Sequence, residues 1–166
     1  MRRTTRRTDP PSGSPRTAAL RLLGRRDYSA AEITRRLVER GYAREAVEAA
    51  VADLEAGGII DDRRAAEVHV RTASRLKGRG ALRIRRELEA RGIRAEAIDY
   101  ALAGLSPDDD RAAIRRFLER KPPPDTPQVR RRLFQQLVRR GFSPALVAAE
   151  LRIDARELGD RDAPDD

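Results

Sequence analysis

Four places in this chain carry residue types that could do chemistry. Asp61 and Asp62 stand side by side, a pair that invites a metal-ion or general acid/base reading. Catalytic carboxylates must face each other across a cleft, whereas neighbours at the start of a helix serve more simply as its N-cap and first-turn acid. Asp108, Asp109 and Asp110 follow Ser106 and Pro107 and read the same way, with proline in the first turn and acids complementing the helix dipole. His69 is the only histidine, and no Cys, Ser or acidic residue stands at triad spacing from it, so it reads as a partly exposed helix residue. Gly78 and Gly80, interleaved with Lys77 and Arg79, could present the amides that open the next helix to a phosphate or carboxylate. The motif G-x-x-x-x-G-K-[ST] is absent and no strand precedes these glycines, which removes the nucleotide-loop reading. With no cysteine there is neither a disulfide framework nor a thiolate metal site. The expectation is a protein that is not an enzyme, with no catalytic residue, no metal and no cofactor.

What positions these residues is a repeat. The stretch from Asp61 to Leu105 reads as three helices, and in its centre Ile84 and Leu88 lie one turn apart while Arg83, Arg86 and Glu87 point elsewhere. Taking Gly92 as a ruler, Ile84 and Leu88 precede it and Ile93, Ile98 and Leu102 follow it. The same spacings around Gly41 give Ile33, Leu37, Tyr42, Val47 and Val51, and around Gly141 they give Leu133, Leu137, Phe142, Val147 and Leu151. A period of about fifty residues follows. Each ruler glycine stands where a helix must stop, since glycine tolerates the left-handed conformation of a C-cap.

Residues 1–16 carry five arginines and three prolines without apolar periodicity and read as a disordered basic arm. Repeat 1 spans 17–60: a short helix from Thr17 with Leu20 and Leu23 inward, a second capped by the S-A-A-E box of Ser29 and Glu32, and a third from about Arg44 to Ala56. Glu32 and Arg36 are spaced to pair one turn apart. Ile59 and Ile60 are too few for a strand and read as an apolar joint. Repeat 2 spans 61–105, with a long first helix to about Leu76. Repeat 3 spans 106–154, with Thr126 capping its middle helix and Ser143 and Pro144 starting its last. Residues 155–166 form an acidic tail that can compete for the protein's own arginines.

Charge is the strongest signal in the composition. There are 36 basic and 27 acidic residues, a net charge of +9. The near-absence of lysine reflects GC-rich coding, but the net excess does not, and it favours a polyanionic or acidic partner. Base-reading side chains are scarce: Gln128, Gln135 and Gln136 share one helix, which argues against sequence-specific DNA binding by a helix-turn-helix mode. No apolar run approaches a membrane span and the N-terminus lacks the apolar core of a signal peptide, so a cytoplasmic location is expected.

The central stretch, IIDDRRAAEVHVR followed by RLKGRGALRIRRELEARGI, resembles the RecX family of recombinase regulators, with Asp61, Asp62, Gly78, Ile84, Leu88, Gly92 and Ile93 on the family's pattern. Arg140, Gly141 and Phe142 match the R-G-F of its third unit. The resemblance runs from about Ala18 to Leu151, with one departure: the family has an aromatic at the position of Ala65. It implies an all-α fold of three tandem three-helix, helix-turn-helix-like repeats in an elongated, curved array. It also implies binding to the RecA recombinase and its filament on DNA, inhibition of recombinase and ATPase activity, and so modulation of DNA repair and recombination. Contact with DNA itself is expected to be weak and nonspecific, and the protein to be a monomer. Arg71, Arg75, Lys77, Arg79, Arg83 and Arg86 are the expected filament contacts, because they cluster around one glycine-flanked joint and no acidic residue lies between Arg71 and Arg86. Arg85 is set aside because it is spaced to pair with Glu89.

Overall fold

The computed structural model describes residues 13–153; residues 1–12 of the expected arm and the acidic tail lie outside the described residues, while Ser14, Pro15 and Arg16, read above as part of the arm, form the cap and first turn of a helix. Among the described residues there are nine helices and no strand: α1 Pro15–Leu23, α2 Ala30–Glu39, α3 Arg44–Ala56, α4 Asp62–Arg75, α5 Ala81–Ala90, α6 Ala95–Ala103, α7 Pro107–Leu118, α8 Pro127–Arg139 and α9 Pro144–Leu151. Each consecutive trio closes over its own apolar core. Ile33, Leu37, Val47 and Leu54 anchor the first, Ile84, Leu88, Ile93 and Ile98 the second, and Ile114, Leu137, Phe142 and Val147 the third.

The glycine ruler has a specific origin. Gly41, Gly92 and Gly141 are all left-handed, with φ of 92°, 72° and 91°. Around each, the residue after the glycine donates its amide to a carbonyl one helical turn back: Tyr42 to Leu37, Ile93 to Leu88 and Phe142 to Leu137. The glycine's own amide goes to Val38, Glu89 or Val138. This is the Schellman ending, in which the bonded outer pair is also an apolar contact, so two of the five ruler positions are apolar because of the turn itself. The other three face the core. Thirteen of the fifteen ruler residues are buried, Tyr42 and Leu102 being the two partly covered exceptions.

Helix starts follow the cap chemistry. Ser29 and Glu32 form both halves of the capping box. Ser106 forms a second one with Asp109, so that acid serves as a cap as well as a dipole partner. Asp61 accepts the Arg64 amide at 3.0 Å, and Thr126 accepts that of Val129 at 3.3 Å. The start of α1 differs from expectation. It begins at Pro15, two residues before Thr17, because Ser14 accepts the Thr17 amide and Pro15 occupies the first turn. Its inward face is Ala18, Ala19 and Leu22, while Leu20 is turned outward and Leu23 is half-buried. Ala65 is buried in the second core.

Candidate interaction surface

The three units meet at two joints built on the same plan, in which the start of one unit's middle helix docks on the ruler turn of the next. At the first joint the Ser29 hydroxyl donates to the Arg91 carbonyl at 2.6 Å, and Asp62 accepts the Ala30 amide at 3.0 Å. The Glu32 carboxylate is the centre of this joint. It accepts from Arg26, from the Ser29 amide and, through two nitrogens, from Arg91. Burial pushes the Glu32 carboxyl up, but the Ser29 amide and the Arg91 and Arg26 guanidinium groups outweigh it and hold it below the usual range. The expected Glu32–Arg36 pair is therefore not made. Arg36 instead lies over the Tyr28 ring, 5.1 Å from its centroid.

At the second joint the shortest bonds are between main-chain groups. Gly80 donates to the Arg140 carbonyl at 3.0 Å and Leu82 to the Gly141 carbonyl at 3.1 Å. A Cβ on Gly80 would lie 2.4 Å from the Gly141 carbonyl and the Phe142 nitrogen, so only glycine allows the approach. The Gly80 and Leu82 amides, at the helix start that sequence alone offers to a phosphate, are thus bonded inside the protein. Arg79 closes the account by donating its amide to Ala73 at 3.1 Å.

The other chemically suggestive residues are likewise committed to structure. Asp61 caps α4 while Asp62 reaches across to α2, so the two carboxylates serve different helices. His69 donates to the Glu87 carboxylate at 3.0 Å, and burial holds its pKa below the ordinary value despite that carboxylate. Among the described residues no group of three or more His, Cys, Asp or Glu is placed to hold a metal ion.

Glu87 sorts the six expected contact residues into two sets. It pairs with Arg79 and with Arg83, the latter at 3.0 Å, so these two cations share an acid one residue beyond the stretch that sequence reading took as uncompensated. Burial pushes the Glu87 carboxyl up, and hydrogen bonds from Arg83, His69 and Arg79 more than reverse this, holding it below the usual range. Arg83 also reaches the Arg139 carbonyl, which ties the hub to the second joint. Arg71, Arg75, Lys77 and Arg86 are exposed and form no ion pair with a carboxylate among the described residues. Arg85 pairs with Asp99 on α6 rather than with Glu89.

Sequence reading missed the opposite wall of this surface. Arg75 and Lys77 line a cleft of about 450 Å³ together with Arg116 of α7, with Arg120 and Lys121 just beyond its end, and with Arg140 from the second joint. No carboxylate lines it. The signal was present in the cation-rich close of α7, but α7 and the end of α4 are brought together only by tertiary folding.

Known proteins match this architecture. Residues 16–54 match the model of the RecX first three-helix domain, and residues 61–102 that of the second. Regulatory protein RecX of Chromohalobacter salexigens is 41% identical over 131 residues, covering 78% of this chain and 85% of the relative. That of Xanthomonas axonopodis pv. citri is 40% identical over 147 residues, covering 87% and 90%. The crystal structure of RecX from Lactobacillus salivarius superposes with a TM-score of 0.71 at 18% identity, over 83% of this chain and 92% of that one, which shows the shared fold. A second crystal structure, of a regulatory protein RecX, gives 0.72 at 24% identity over 84% and 72%. With the glycine-turn joints, the three cores and these relatives in agreement, the chain belongs to the RecX family of regulatory proteins.

Proposed function

We propose that the chain binds the RecA recombinase and its nucleoprotein filament, as a cytoplasmic monomer, and restrains recombinase and ATPase activity. DNA repair and recombination are modulated as a result. The reading rests on family membership and on one observation of this chain: Arg71, Arg75, Lys77 and Arg86 are exposed around the α4–α5 joint with no ion pair among the described residues. Cations without partners are free to meet an acidic surface, whereas Arg79 and Arg83 act through Glu87 to hold the joint in shape. Direct DNA contact is weak, nonspecific and secondary.

The test replaces Arg71, Arg75 and Lys77 together by Glu and leaves Arg79 in place, since removing it would unbalance Glu87. Circular dichroism should be unchanged, while co-sedimentation with RecA filaments and inhibition of ATP turnover should fall together by about tenfold or more through like-charge repulsion. A folded variant that inhibits at the parent's concentration removes this surface from the account.

A further inference from the structure

We infer that the cleft between the end of α4 and α7 receives an acidic peptide segment that also carries an apolar side chain. This deepens the reading above, on which it rests, by assigning the face to a protein segment of the partner rather than to its DNA.

Two features of the cleft specify such a ligand. The first is charge: Arg75, Lys77, Arg116, Arg120, Lys121 and Arg140 converge on it, and none forms an ion pair with a carboxylate among the described residues. Elsewhere the chain neutralises its arginines readily, as at Glu32, Glu87 and Glu150. Six cations converge in one concavity with no directly paired carboxylate, the field of Asp109 reaching only Arg75 and Arg116 from outside the cleft lining, and their mutual repulsion is relieved by bound carboxylates or phosphates.

The second feature separates those two chemistries. Leu76 lines the same cleft and is 82% exposed, the most exposed large apolar side chain among the described residues, flanked in sequence by Arg75 and Lys77. A sugar-phosphate backbone offers nothing to cover it. Bases do stack on aromatic rings, but the cleft's one ring, Phe117, already has Arg140 at 4.7 Å and Lys121 at 5.2 Å from its centroid. A peptide alternating carboxylates with an apolar residue satisfies both features, its acids meeting the cations and its apolar side chain covering Leu76.

The experiment uses the full chain and three fluorescein-labelled probes: a short Asp/Glu peptide around one central Leu, the same peptide with Ser in place of that Leu, and an oligothymidylate of equal charge. Fluorescence anisotropy is read at physiological salt. The Leu peptide is expected to bind tightest. Leu76→Ser should weaken it by about tenfold while leaving the Ser peptide unchanged. Arg116→Glu with Lys121→Glu should weaken both peptides by at least about tenfold, with the circular dichroism of each variant matching the parent. The inference is overturned if the oligothymidylate binds as tightly as the Leu peptide, if the two peptides bind equally, or if folded Leu76→Ser leaves Leu-peptide binding intact. Loss of peptide binding alongside retained filament co-sedimentation would overturn this assignment and leave the broader function standing.

Discussion

Replacing Gly80 by Ala isolates the second joint. Gly80 has φ of −79°, a value any residue adopts, so the substitution brings no backbone strain of its own. Its cost comes entirely from contact. The added carbon falls 2.4 Å from three main-chain atoms of Gly141 and Phe142, against an ordinary separation near 3.5 Å, so the two backbone segments must part by about 1 Å. Parting them stretches the bonds from Gly80 to Arg140 and from Leu82 to Gly141, each worth about 1 kcal/mol net. Overpacking adds about 1–3 kcal/mol, for a total of about 3–5 kcal/mol at the joint. Since Ile84 and Leu88 belong to one core and Leu137 and Phe142 to another, helix content should persist while the joint loosens. Hydrogen exchange reads this directly: the Gly80 and Leu82 amides should exchange about 100-fold faster or more. Gly24→Ala is the control, because its Cβ would meet the Leu20 and Arg21 carbonyls at 3.6 and 3.9 Å, both ordinary van der Waals contacts, and it should be neutral or stabilising by up to about 1 kcal/mol. Unchanged exchange at Gly80 and Leu82 in the variant would refute the close-approach account.

At the first joint, Glu32→Gln should destabilise by about 3 kcal/mol in denaturant titration, the low end for breaking a buried pair because Arg26 is half exposed. The same group sets a pH dependence. Its carboxyl is held below its unfolded value, so its stabilisation is present above about pH 4.3 and lost as pH falls through the lowered folded value, and Glu32→Gln should flatten that acid limb of the thermal-melt profile. Ile84→Asp or Leu88→Asp, both at fully buried sites, should unfold the central unit at a cost of several kcal/mol, seen as lost ellipticity at 222 nm; full helix content in both would remove the proposed core. Binding to bare duplex DNA should be sequence-independent and fall by orders of magnitude between low and physiological salt in anisotropy titrations, and a salt-insensitive preference for one sequence would contradict it.

The repeat was legible because the Schellman turn writes itself into local sequence, as glycine with apolar residues at fixed offsets, and that signal occurs three times. Caps at Ser29, Asp61 and Thr126 were legible for the same reason, being set by residues three apart. The register of α1 was not, since Leu20, Leu22 and Leu23 crowd a nine-residue helix and leave two inward faces to choose between. Arg91 reaching Glu32 lies 59 residues away along the chain, and no local pattern announces it. At the candidate surface, the spacing of Arg83 and Glu87 marks an i,i+4 pair, but the convergence of Arg79 and His69 on that carboxylate depends on how α4 packs against α5. The α7 wall of the cleft escaped for that reason too: its cations are separated from Arg75 and Lys77 by two whole helices, α5 and α6, and the turns that join them.

The most direct test of the central proposal is to add the purified chain to preformed RecA filaments on single-stranded DNA and follow ATP turnover and co-sedimentation together. The chain is expected to sediment with the filaments and to slow ATP turnover as its concentration rises, with both effects weakened in the Arg71, Arg75 and Lys77 reversal. A parent chain that stays in the supernatant and leaves turnover unchanged would contradict the proposed function outright.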